Sequence, residues 1–370
     1  MLKRLLILSF LFIQILSCSN AKLESKGAVS SNNYAKGFNI SKTKKGFELQ
    51  VNDPYQGSSG TVFSYHLSRN KKNDGSIKIP VQRVVCMSTS HIAMINALGK
   101  SETIYGISGA DYIYNQNINK RIFSKEIVDI GYGDYLNAEK VIALAPDVVF
   151  AYGIDRQSLA PFDKLEKAGI PVVFIGEYLE NHPLGRLEWI RFFSCFFDCS
   201  EQAYCIYDSI SANYLQISDS AKHSNTQAQV LTGMPWKGTW FVPGGDAFLS
   251  NMITDAGGTY IWNNLSGCES IPLSIETVFA EAMEAEFWIH PNDCKTQTEI
   301  IQTDNRFNNF RPISEAKIYN NNAKTTTKGG NDYWESGVVH VDIVLKDLTH
   351  IFHPELFPEH KLVYYTSINE

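Results

Sequence analysis

Short apolar runs alternate with stretches of helical apolar spacing over most of the chain. VQRVVCMS predicts a strand, and the following STSHIAMINALG predicts a helix that ends at Gly99. IPVVFIG and QVLTGM predict further buried strands, and FLSNMITDAGG predicts a further helix. Strands that alternate with helices predict parallel sheets, so we expect an α/β fold.

Residues 185–222 interrupt this alternation, because apolar side chains recur there at helical spacing without a strand. Beyond Gly185 the segment contains neither glycine nor proline. A single helix of this length would reach about 50 Å at 1.5 Å per residue, which exceeds one lobe. We therefore predict two α/β lobes, residues 36–184 and 223–370, joined by one long rigid helix over residues 185–222.

The chain begins with Lys3 and Arg4, followed by an apolar run over residues 5–13. A bilayer span needs about 20 residues, so this shorter run is typical of the central region of a secretory signal. A small residue immediately before Cys18 is similar to a lipoprotein processing site. We predict a signal peptide over residues 1–17, lipidation of Cys18 that anchors the protein to a membrane, and a polar tether over residues 18–35. The alternative is an ordinary signal peptide that contains a cysteine.

One phrase occurs twice in the chain. LNAEKVIALAPDVVFAY (136–152) and LSIETVFAEAMEAEFWI (273–289) align so that Glu139 coincides with Glu276. In each copy a good N-cap residue, Asn137 or Ser274, stands two positions before the glutamate, which places the glutamate in the first turn of a helix. The helix dipole favours a carboxylate there by under about 1 kcal/mol. The dipole explains a glutamate at either site, but it does not explain why both lobes repeat it before a matching strand.

Composition and charge narrow the function. The 370 residues are 44% hydrophobic and 19% charged, with a net charge of -6. No Lys/Arg-rich run of the kind that tracks phosphates occurs, so we expect no nucleic-acid partner. Of the seven cysteines, Cys195 and Cys199 stand four apart, as two zinc ligands on one helix face would. Because no histidine pair or second cysteine pair lies nearby, we interpret them as structural and leave disulfide pairing open.

Motifs of catalysis are missing from the sequence. It contains no GxSxG, HExxH, GxxxxGK(S/T) or GxGxxG pattern. The glycine-rich turn Gly244-Gly245-Asp246 precedes a predicted helix, which alone is weak evidence for an anion site. The histidines have no metal-ligand spacing, and His91, at the start of a predicted helix, is interpreted as a capping or packed side chain. We therefore predict no enzyme activity, no catalytic residues, no bare metal site and no cofactor.

The ordered set of these features resembles a known family. VVCMSTSHIAMINALG, PGGDAFLSNMITDAGG, the paired glutamate phrases, the long helix and the exported start are similar to the iron-siderophore and vitamin B12 class of ABC-transporter substrate-binding proteins. The resemblance runs from about residue 80 to the C-terminus and implies two parallel-sheet α/β lobes joined by one long rigid helix, as in class III periplasmic binding proteins. It also implies that Glu139 and Glu276 dock into arginines of an ABC permease dimer. Residues before Pro80 depart from the minimal pattern and resemble a β extension, which we expect to lengthen the sheet of the first lobe.

The resemblance places the ligand in the cleft between the lobes, in loops at the carboxyl ends of parallel strands. The implied ligand is a metal that arrives already chelated, as a ferric siderophore, a cobalamin-type corrinoid or haem. These loops are rich in aromatic residues, which suit a macrocycle or an aromatic chelate because stacking adds about 0.5–1.5 kcal/mol per pair. The predicted ligand-binding residues are Ser88, Thr89, Tyr112, Tyr132, Tyr135, Tyr152, Gly153, Trp236, Trp240 and Trp334.

An anionic siderophore or haem would require a cation in the pocket, for which Lys237 and Arg156 are the candidates, whereas a corrinoid favours aromatic walls with few charges. The alternative function is a surface lipoprotein that binds another aromatic or carbohydrate ligand without a transporter.

Overall fold

The structure, a computed structural model, describes residues 29–30, 32–70, 74–224 and 228–368. The predicted signal peptide, Cys18 and residues 18–28 of the predicted tether lie outside these ranges. Within them, no helix combines the length and the apolar character that a bilayer span requires.

The N-terminal extension forms a five-stranded sheet of its own. Buried and exposed residues alternate along much of it, as expected of antiparallel strands with one covered face. Neighbouring strands are antiparallel except for the last pair, which is parallel. The strands, in spatial order, are β1 (Val29–Ser30), β2 (Phe38–Lys42), β3 (Gly46–Asn52), β4 (Val62–Ser68) and β5 (Ile77–Lys78).

The first lobe is built on a five-stranded sheet in which all neighbouring strands are parallel. The strands are β6 (Val84–Cys86), β7 (Ile104–Ile107), β8 (Val128–Asp129), β9 (Val148–Ala151) and β10 (Val172–Phe174). The helices are α1 (Thr89–Ala97), α2 (Gln116–Phe123), α3 (Ala138–Leu144) and α4 (Asp163–Lys167). The sheet order is β10-β9-β6-β7-β8, so the central strands β6 and β9 are buried along their whole length, which explains their unbroken apolar sequences.

The connection between the lobes consists of two helices and not of the single helix that the spacing predicts. α5 (Pro183–Phe197) ends at Asp198, whose backbone is left-handed with φ 52°, and α6 (Ser200–Lys222) follows. Aspartate adopts this conformation more readily than most residues. Arg69 Nε and Nη2 donate to the two carboxylate oxygens of Asp198, at 2.8 and 2.6 Å. The break therefore needs neither glycine nor proline, which is why the sequence pattern did not reveal it.

Two buried carboxylates fasten the extension to α5 and the loop before it. Glu180 accepts the backbone N–H groups of residues 36 and 37 as well as the indole N–H of Trp189. Glu188 accepts three consecutive backbone N–H groups at 2.9–3.0 Å, those of Asn33, Tyr34 and Ala35. The expectation that the extension lengthens the first lobe's sheet is therefore wrong, because its strands pair with one another and β2 and β3 pack on α5.

The second lobe repeats the alternating plan with an added hairpin. Its main sheet has the order β14-β11-β16-β17-β18 and is parallel except for its last strand, and a separate antiparallel sheet has the order β12-β13-β15. The strands are β11 (Ala228–Thr232), β12 (Pro235–Trp236), β13 (Thr239–Pro243), β14 (Gly258–Tyr260), β15 (Ser270–Ser274), β16 (Phe287–Ile289), β17 (Ile318–Asn320) and β18 (Thr366–Ser367). The helices are α7 (Phe248–Asp255), α8 (Ile275–Ala282), α9 (Gln297–Thr303), α10 (Arg311–Ser314) and α11 (Val341–Phe352). α5 packs on α1 of the first lobe and α6 on α11 of the second, so the predicted two-lobed α/β fold is confirmed.

The repeated phrases fold alike, as predicted. The first forms α3 and β9, and the second forms α8 and β16. Asn137 Oδ1 accepts the backbone N–H of Lys140 at 2.9 Å, and Ser274 Oγ accepts that of Thr277 at 3.0 Å. Both predicted N-caps are thus confirmed, and each glutamate lies in the first turn of its helix.

Candidate functional site

A cavity of about 210 Å³ lies where the two lobes meet. Its first-lobe wall comes from loops at the carboxyl ends of β6, β7, β8 and β9, which is where open α/β sheets bind ligands. Its second-lobe wall comes from the segment between β17 and α11. The residues that line it are Met87, Ser88, Thr89, Ser108, Tyr112, Tyr132, Tyr152, Gly329, Asn331 and Trp334.

The fold therefore brings together much of the predicted ligand-binding set: Ser88, Thr89, Tyr112, Tyr132, Tyr152 and Trp334. The cavity residues that the prediction did not name are Met87, Ser108, Gly329 and Asn331. Ser108 follows a predicted strand, and Gly329 and Asn331 lie in the segment GGNDYW (329–334) that contains the predicted Trp334. The sequence therefore predicted the correct loops but not these individual residues. Met87 was not predicted, because a methionine beside a buried strand usually belongs to the hydrophobic core.

Four predicted residues do not line the cavity. Trp240 is fully buried, its indole N–H donates to the Thr232 carbonyl oxygen at 3.0 Å, and the ring packs in the core of the second lobe. Trp236 is exposed on the edge strand β12, and Tyr135 is 87% exposed on the outer surface. Gly153 faces the N-terminal extension, because a Cβ there would meet Leu159 and Tyr55. The prediction is corrected for Trp240 in particular: β13 alternates, and its register turns this ring away from solvent.

Two tyrosine rings form one wall of the cavity. Tyr112 and Tyr132 have ring centroids 5.0 Å apart at an interplanar angle of 47°. Gly109 has φ 72° and lies beneath both rings, where a Cβ would approach Tyr112 and Tyr132 at 2.9 and 3.0 Å. A side chain at this position would displace the rings, so glycine is required for their arrangement.

Polar contacts between the lobes close the cleft at this point. Thr89 Oγ1 donates to the Trp334 carbonyl oxygen at 3.0 Å. Lys328 Nζ donates to Asp111 Oδ1 at 2.9 Å across the same boundary. Drug-sized ligands occupy pockets of about 300–1,000 Å³, so a large chelate requires these contacts to separate.

Glu335 lies in the same contact and is almost fully buried. Its carboxylate accepts the backbone N–H groups of Tyr114 and Asn115 from the first lobe, at 2.7 and 3.1 Å. Burial raises the pKa of Glu335 to about 7 against the opposing effect of these hydrogen bonds, and the neighbouring Asp332 carboxylate raises it further. The charge of Glu335 therefore changes near neutral pH while the lobes are in contact.

A chain of polar groups leads from the cavity wall into the first lobe. Ser88 caps α1, and its hydroxyl oxygen lies 2.8 Å from that of Ser90. Ser90 donates to the carboxylate of Glu177, a residue that follows β10 and is nearly inaccessible to solvent. Arg186 Nη2 lies 3.8 Å from the same carboxylate oxygen. The sequence prediction missed Glu177, although its place after a buried parallel strand was a usable signal.

The cavity has a neutral lining, since none of the described residues that form it is charged. The candidate cations lie elsewhere: Arg156 is exposed, and Lys237 Nζ lies 4.4 Å from the centroid of the exposed Trp236 ring. Burial, together with the neighbouring Tyr132 hydroxyl, raises the pKa of Tyr152, so this hydroxyl stays protonated. The site is suited to hydrogen bonding and ring contacts rather than to ion pairing.

Histidine and cysteine do not form a metal site in the part of the chain that the structure describes, where no group of three or more His, Cys, Asp or Glu side chains could hold an ion. His91 is buried, its ring centroid lies 5.7 Å from that of Phe193, and burial lowers its pKa. It is a packed side chain, one of the two interpretations of the sequence. The six cysteines after Cys18 are free thiols.

A wider groove of about 560 Å³ lies on the helical side of the same contact between the lobes. It is lined by Asn96 at the end of α1, Ile206 of α6 and Glu335, among others. Of the first-lobe strand-end loops only the one after β7 reaches it, through Tyr114 and Asn115, and none of the predicted residues lines it. We therefore take the smaller cavity as the candidate ligand site.

The repeated glutamates lie on the outer surface and not in the cavity. The side chains of Glu139 and Glu276 are 71% and 75% exposed. Lys164 of α4 pairs with Glu139 and lowers its pKa. Glu276 Oε1 lies 3.6 Å from Arg306 Nη1, and the Asp304 carboxylate accepts hydrogen bonds from Nε and Nη2 of the same guanidinium. Each glutamate therefore has a cationic neighbour within its own lobe.

Comparison with known proteins agrees with this fold. A family model described as periplasmic binding protein matches residues 84–324. The uncharacterized lipoprotein MJ0878 of Methanocaldococcus jannaschii is 27% identical over 303 residues, which are 79% of this chain and 70% of that protein.

Solved structures share the architecture. A possible iron-binding, periplasmic solute-binding protein from Staphylococcus epidermidis superposes with a TM-score of 0.57 and 18% identity, covering 74% of this chain and 99% of that one. A periplasmic heme binding protein from Pseudomonas aeruginosa gives a TM-score of 0.57 and 17% identity, covering 74% of this chain and 94% of that one. At these identities the likeness is one of fold.

Proposed function

The chain belongs to the periplasmic binding protein family, and from this premise we propose that it is the exported substrate-binding component of an ABC importer. It captures a metal chelate between its lobes and delivers the chelate to a permease. The observation that carries the proposal is the position of the cavity at the boundary of the lobes, where strand-end loops supply tyrosines, hydroxyls and a tryptophan. This is the arrangement of a binding site without a nucleophile or general base, and the family is one of binding proteins.

The proposed ligand is a ferric siderophore, a cobalamin-type corrinoid or haem. Tyr112, Tyr132 and Trp334 offer ring faces to a flat or macrocyclic ligand. Proteins of the same fold include a heme-binding one and a possible iron-binding one, which supports this class of ligand. The ligand enters when the Thr89–Trp334 contact separates.

Docking to the permease is proposed to use Glu139 and Glu276. Both carboxylates project from first turns of helices on separate lobes, and both are exposed. Arginine binds a carboxylate through two parallel hydrogen bonds, so an arginine of the permease would replace Lys164 or Arg306 as the partner. The intralobe pairs are exposed and hence weak, so their exchange costs little.

The membrane anchor is proposed to be a lipid on Cys18. The charged start, the apolar run and the residue before Cys18 motivate it. The relative MJ0878 is itself named a lipoprotein, which supports the proposal.

Ligand binding is tested by titrating the purified protein with cobalamin, haem and several ferric siderophores while tryptophan emission is recorded. We expect one of these chelates to quench emission through Trp334, which lines the cavity. Trp334→Phe should remove most of the quenching, whereas Trp236→Phe, on the exposed edge strand, should leave it in place. Absence of binding by every chelate would contradict the proposal.

Docking is tested with the double variant Glu139→Ala/Glu276→Ala and the permease in proteoliposomes. We expect loss of the stimulation of transporter ATPase activity at unchanged ligand affinity, because neither side chain lines the cavity. Glu102→Ala, which removes a carboxylate from another turn of the first lobe, serves as the control. Loss of ligand affinity in the double variant would rule out a pure docking role.

A further inference from the structure

We propose that the cleft selects chelates that carry no net negative charge and that donate a hydrogen bond to Ser88. The inference rests on the binding function proposed above and names the ligand class within it. It follows from which hydroxyl groups around the cavity donate hydrogen bonds and which accept them, and from the charges of the surrounding residues.

Thr89 is the simpler of the two hydroxyls. Its Oγ1 lies 3.0 Å from the Trp334 carbonyl oxygen. A carbonyl oxygen only accepts, so the hydroxyl of Thr89 donates to Trp334 while the lobes are in contact. This contact separates when a large chelate enters, so the Thr89 hydroxyl then rotates and serves donors and acceptors alike.

Ser88 is oriented through a second hydroxyl. Glu177, as a carboxylate beside Arg186, only accepts, so the proton of Ser90 is committed to Glu177. The 2.8 Å contact between the Ser88 and Ser90 oxygens then requires Ser88 to be the donor. Ser88 also accepts the Ser90 backbone N–H at 3.3 Å, and its remaining lone pair is available to the cavity that it lines. Ser88 thus presents an acceptor and no proton to the cavity.

The charges around the cavity point the same way. None of the ten described residues that line the cavity is charged, and the Arg186 guanidinium behind Ser90 lies 3.8 Å from the Glu177 carboxylate. An anionic chelate would lose its hydration here without gaining a counter-charge, which is strongly unfavourable. The tyrosine hydroxyls rotate and serve donors and acceptors alike, so they do not reverse this preference.

The test compares two probes on the full chain: a ferric trihydroxamate that carries amide N–H groups and no negative charge, and a ferric tricatecholate with multiple negative charge. We expect the trihydroxamate to bind at least about tenfold more tightly. Ser88→Ala should weaken trihydroxamate binding about three- to tenfold, the usual effect of losing one hydrogen bond. Ser88→Thr, which keeps both the hydroxyl and the helix cap, should restore it.

Glu177→Gln reports on the proton direction itself. The amide of glutamine donates to Ser90, which frees Ser90 to donate to Ser88 and turns the Ser88 proton toward the cavity. The ratio of the two affinities should then shift toward the tricatecholate, an effect that loss of packing alone would not produce. Thermal unfolding of each variant shows whether it is folded.

The outcomes separate the two proposals. If the tricatecholate binds as tightly as the trihydroxamate, or if Ser88→Ala weakens both equally, the selectivity proposal is overturned and the binding function stands. If neither probe binds and cobalamin and haem also fail, the binding function is refuted and the selectivity proposal with it.

Discussion

The two copies of the glutamate phrase share their local structure but differ in what surrounds them. In both lobes a capped helix displays an exposed glutamate and leads to a buried parallel strand. In the first lobe the residues before the cap include Tyr132, and Tyr152 directly follows the strand after the helix, so the copy is flanked on both sides by cavity residues. In the second lobe the cap Ser274 is the last residue of β15, which pairs with the strand that carries the buried Trp240.

The same local structure therefore has two different surroundings. In the first-lobe copy, the loop before α3 connects the cavity residue Tyr132 to the helix that carries the exposed Glu139, whereas the second-lobe copy rests on a closed core. After β16, His290 lies 5.3 Å from the Tyr365 ring and donates or accepts a hydrogen bond with its hydroxyl at 2.6 Å, so that strand ends in packing and not in a cavity. A substitution in the first copy should therefore alter ligand binding, and a substitution in the second should not.

Truncation of Trp240 should have the largest effect, and this effect is on the stability of the second lobe. Because the ring is fully buried against Trp288 and Phe307, Trp240→Ala should lower the free energy of unfolding by about 3–5 kcal/mol. Chemical denaturation measures this. Trp236→Ala, four residues away on the surface, should change stability by no more than about 0.5 kcal/mol. Equal effects of the two substitutions would show that the second copy does not rest on a closed core.

Closure of the cleft should depend on pH, whereas docking through the outer surface should not. Burial raises the pKa of Glu335 from 4.5 to about 7, although the hydrogen bonds from Tyr114 and Asn115 lower it. Because opening of the cleft would expose this carboxyl group, we expect the closed form to bind a proton more tightly than the open form. Closure should therefore strengthen as the pH falls through about 7 and gain nothing further below about 4.5.

Ligand release measured by stopped flow should slow about tenfold between about pH 8 and pH 5.5. Glu335→Gln should remove this dependence. The Glu139 carboxylate, whose pKa Lys164 lowers, should stay charged over the same range, so permease docking through it should not follow the same curve. A dependence that persists in Glu335→Gln would assign it to another group.

Removal of each helix cap compares the copies directly. Asn137→Ala and Ser274→Ala each delete one hydrogen bond to a first-turn N–H and should each cost about 1 kcal/mol of stability. Only Asn137→Ala should also weaken ligand binding, by a few-fold, because its loop carries Tyr132. Equal binding by the two variants would contradict the link between the first copy and the cavity.

The intralobe cations should have the smallest effect. Lys164→Ala and Arg306→Ala remove the partners of exposed carboxylates, so thermal unfolding should stay unchanged. Each variant frees a glutamate for the permease, and we expect slightly tighter docking in a pull-down or ATPase titration. Weaker docking would mean that these cations belong to the interface.

Several features were predictable because they depend on local chemistry. The caps Asn137 and Ser274, the buried strands and the strand-end loops all follow from residue type and spacing. Other features depended on partners that are distant in sequence. The break at Asp198 is held by Arg69, and the extension is held to α5 by Glu180 and Glu188. The local sequence of these segments does not indicate which distant residues they contact.

The alternating α/β lobes, the two capped helices with their glutamates and the aromatic loops follow from the sequence alone, because hydrophobic periodicity and capping act over a few residues. Which of the aromatic residues line the cavity depends on the tertiary structure. Trp240 and Trp236 lie in one short hairpin, yet the pleat buries the first and exposes the second. The tertiary structure also determines the hydrogen bonding of the Ser88 hydroxyl, because this hydroxyl is linked through Ser90 to the buried Glu177. Glu177 lies 89 positions away, and no local sequence pattern connects the two residues.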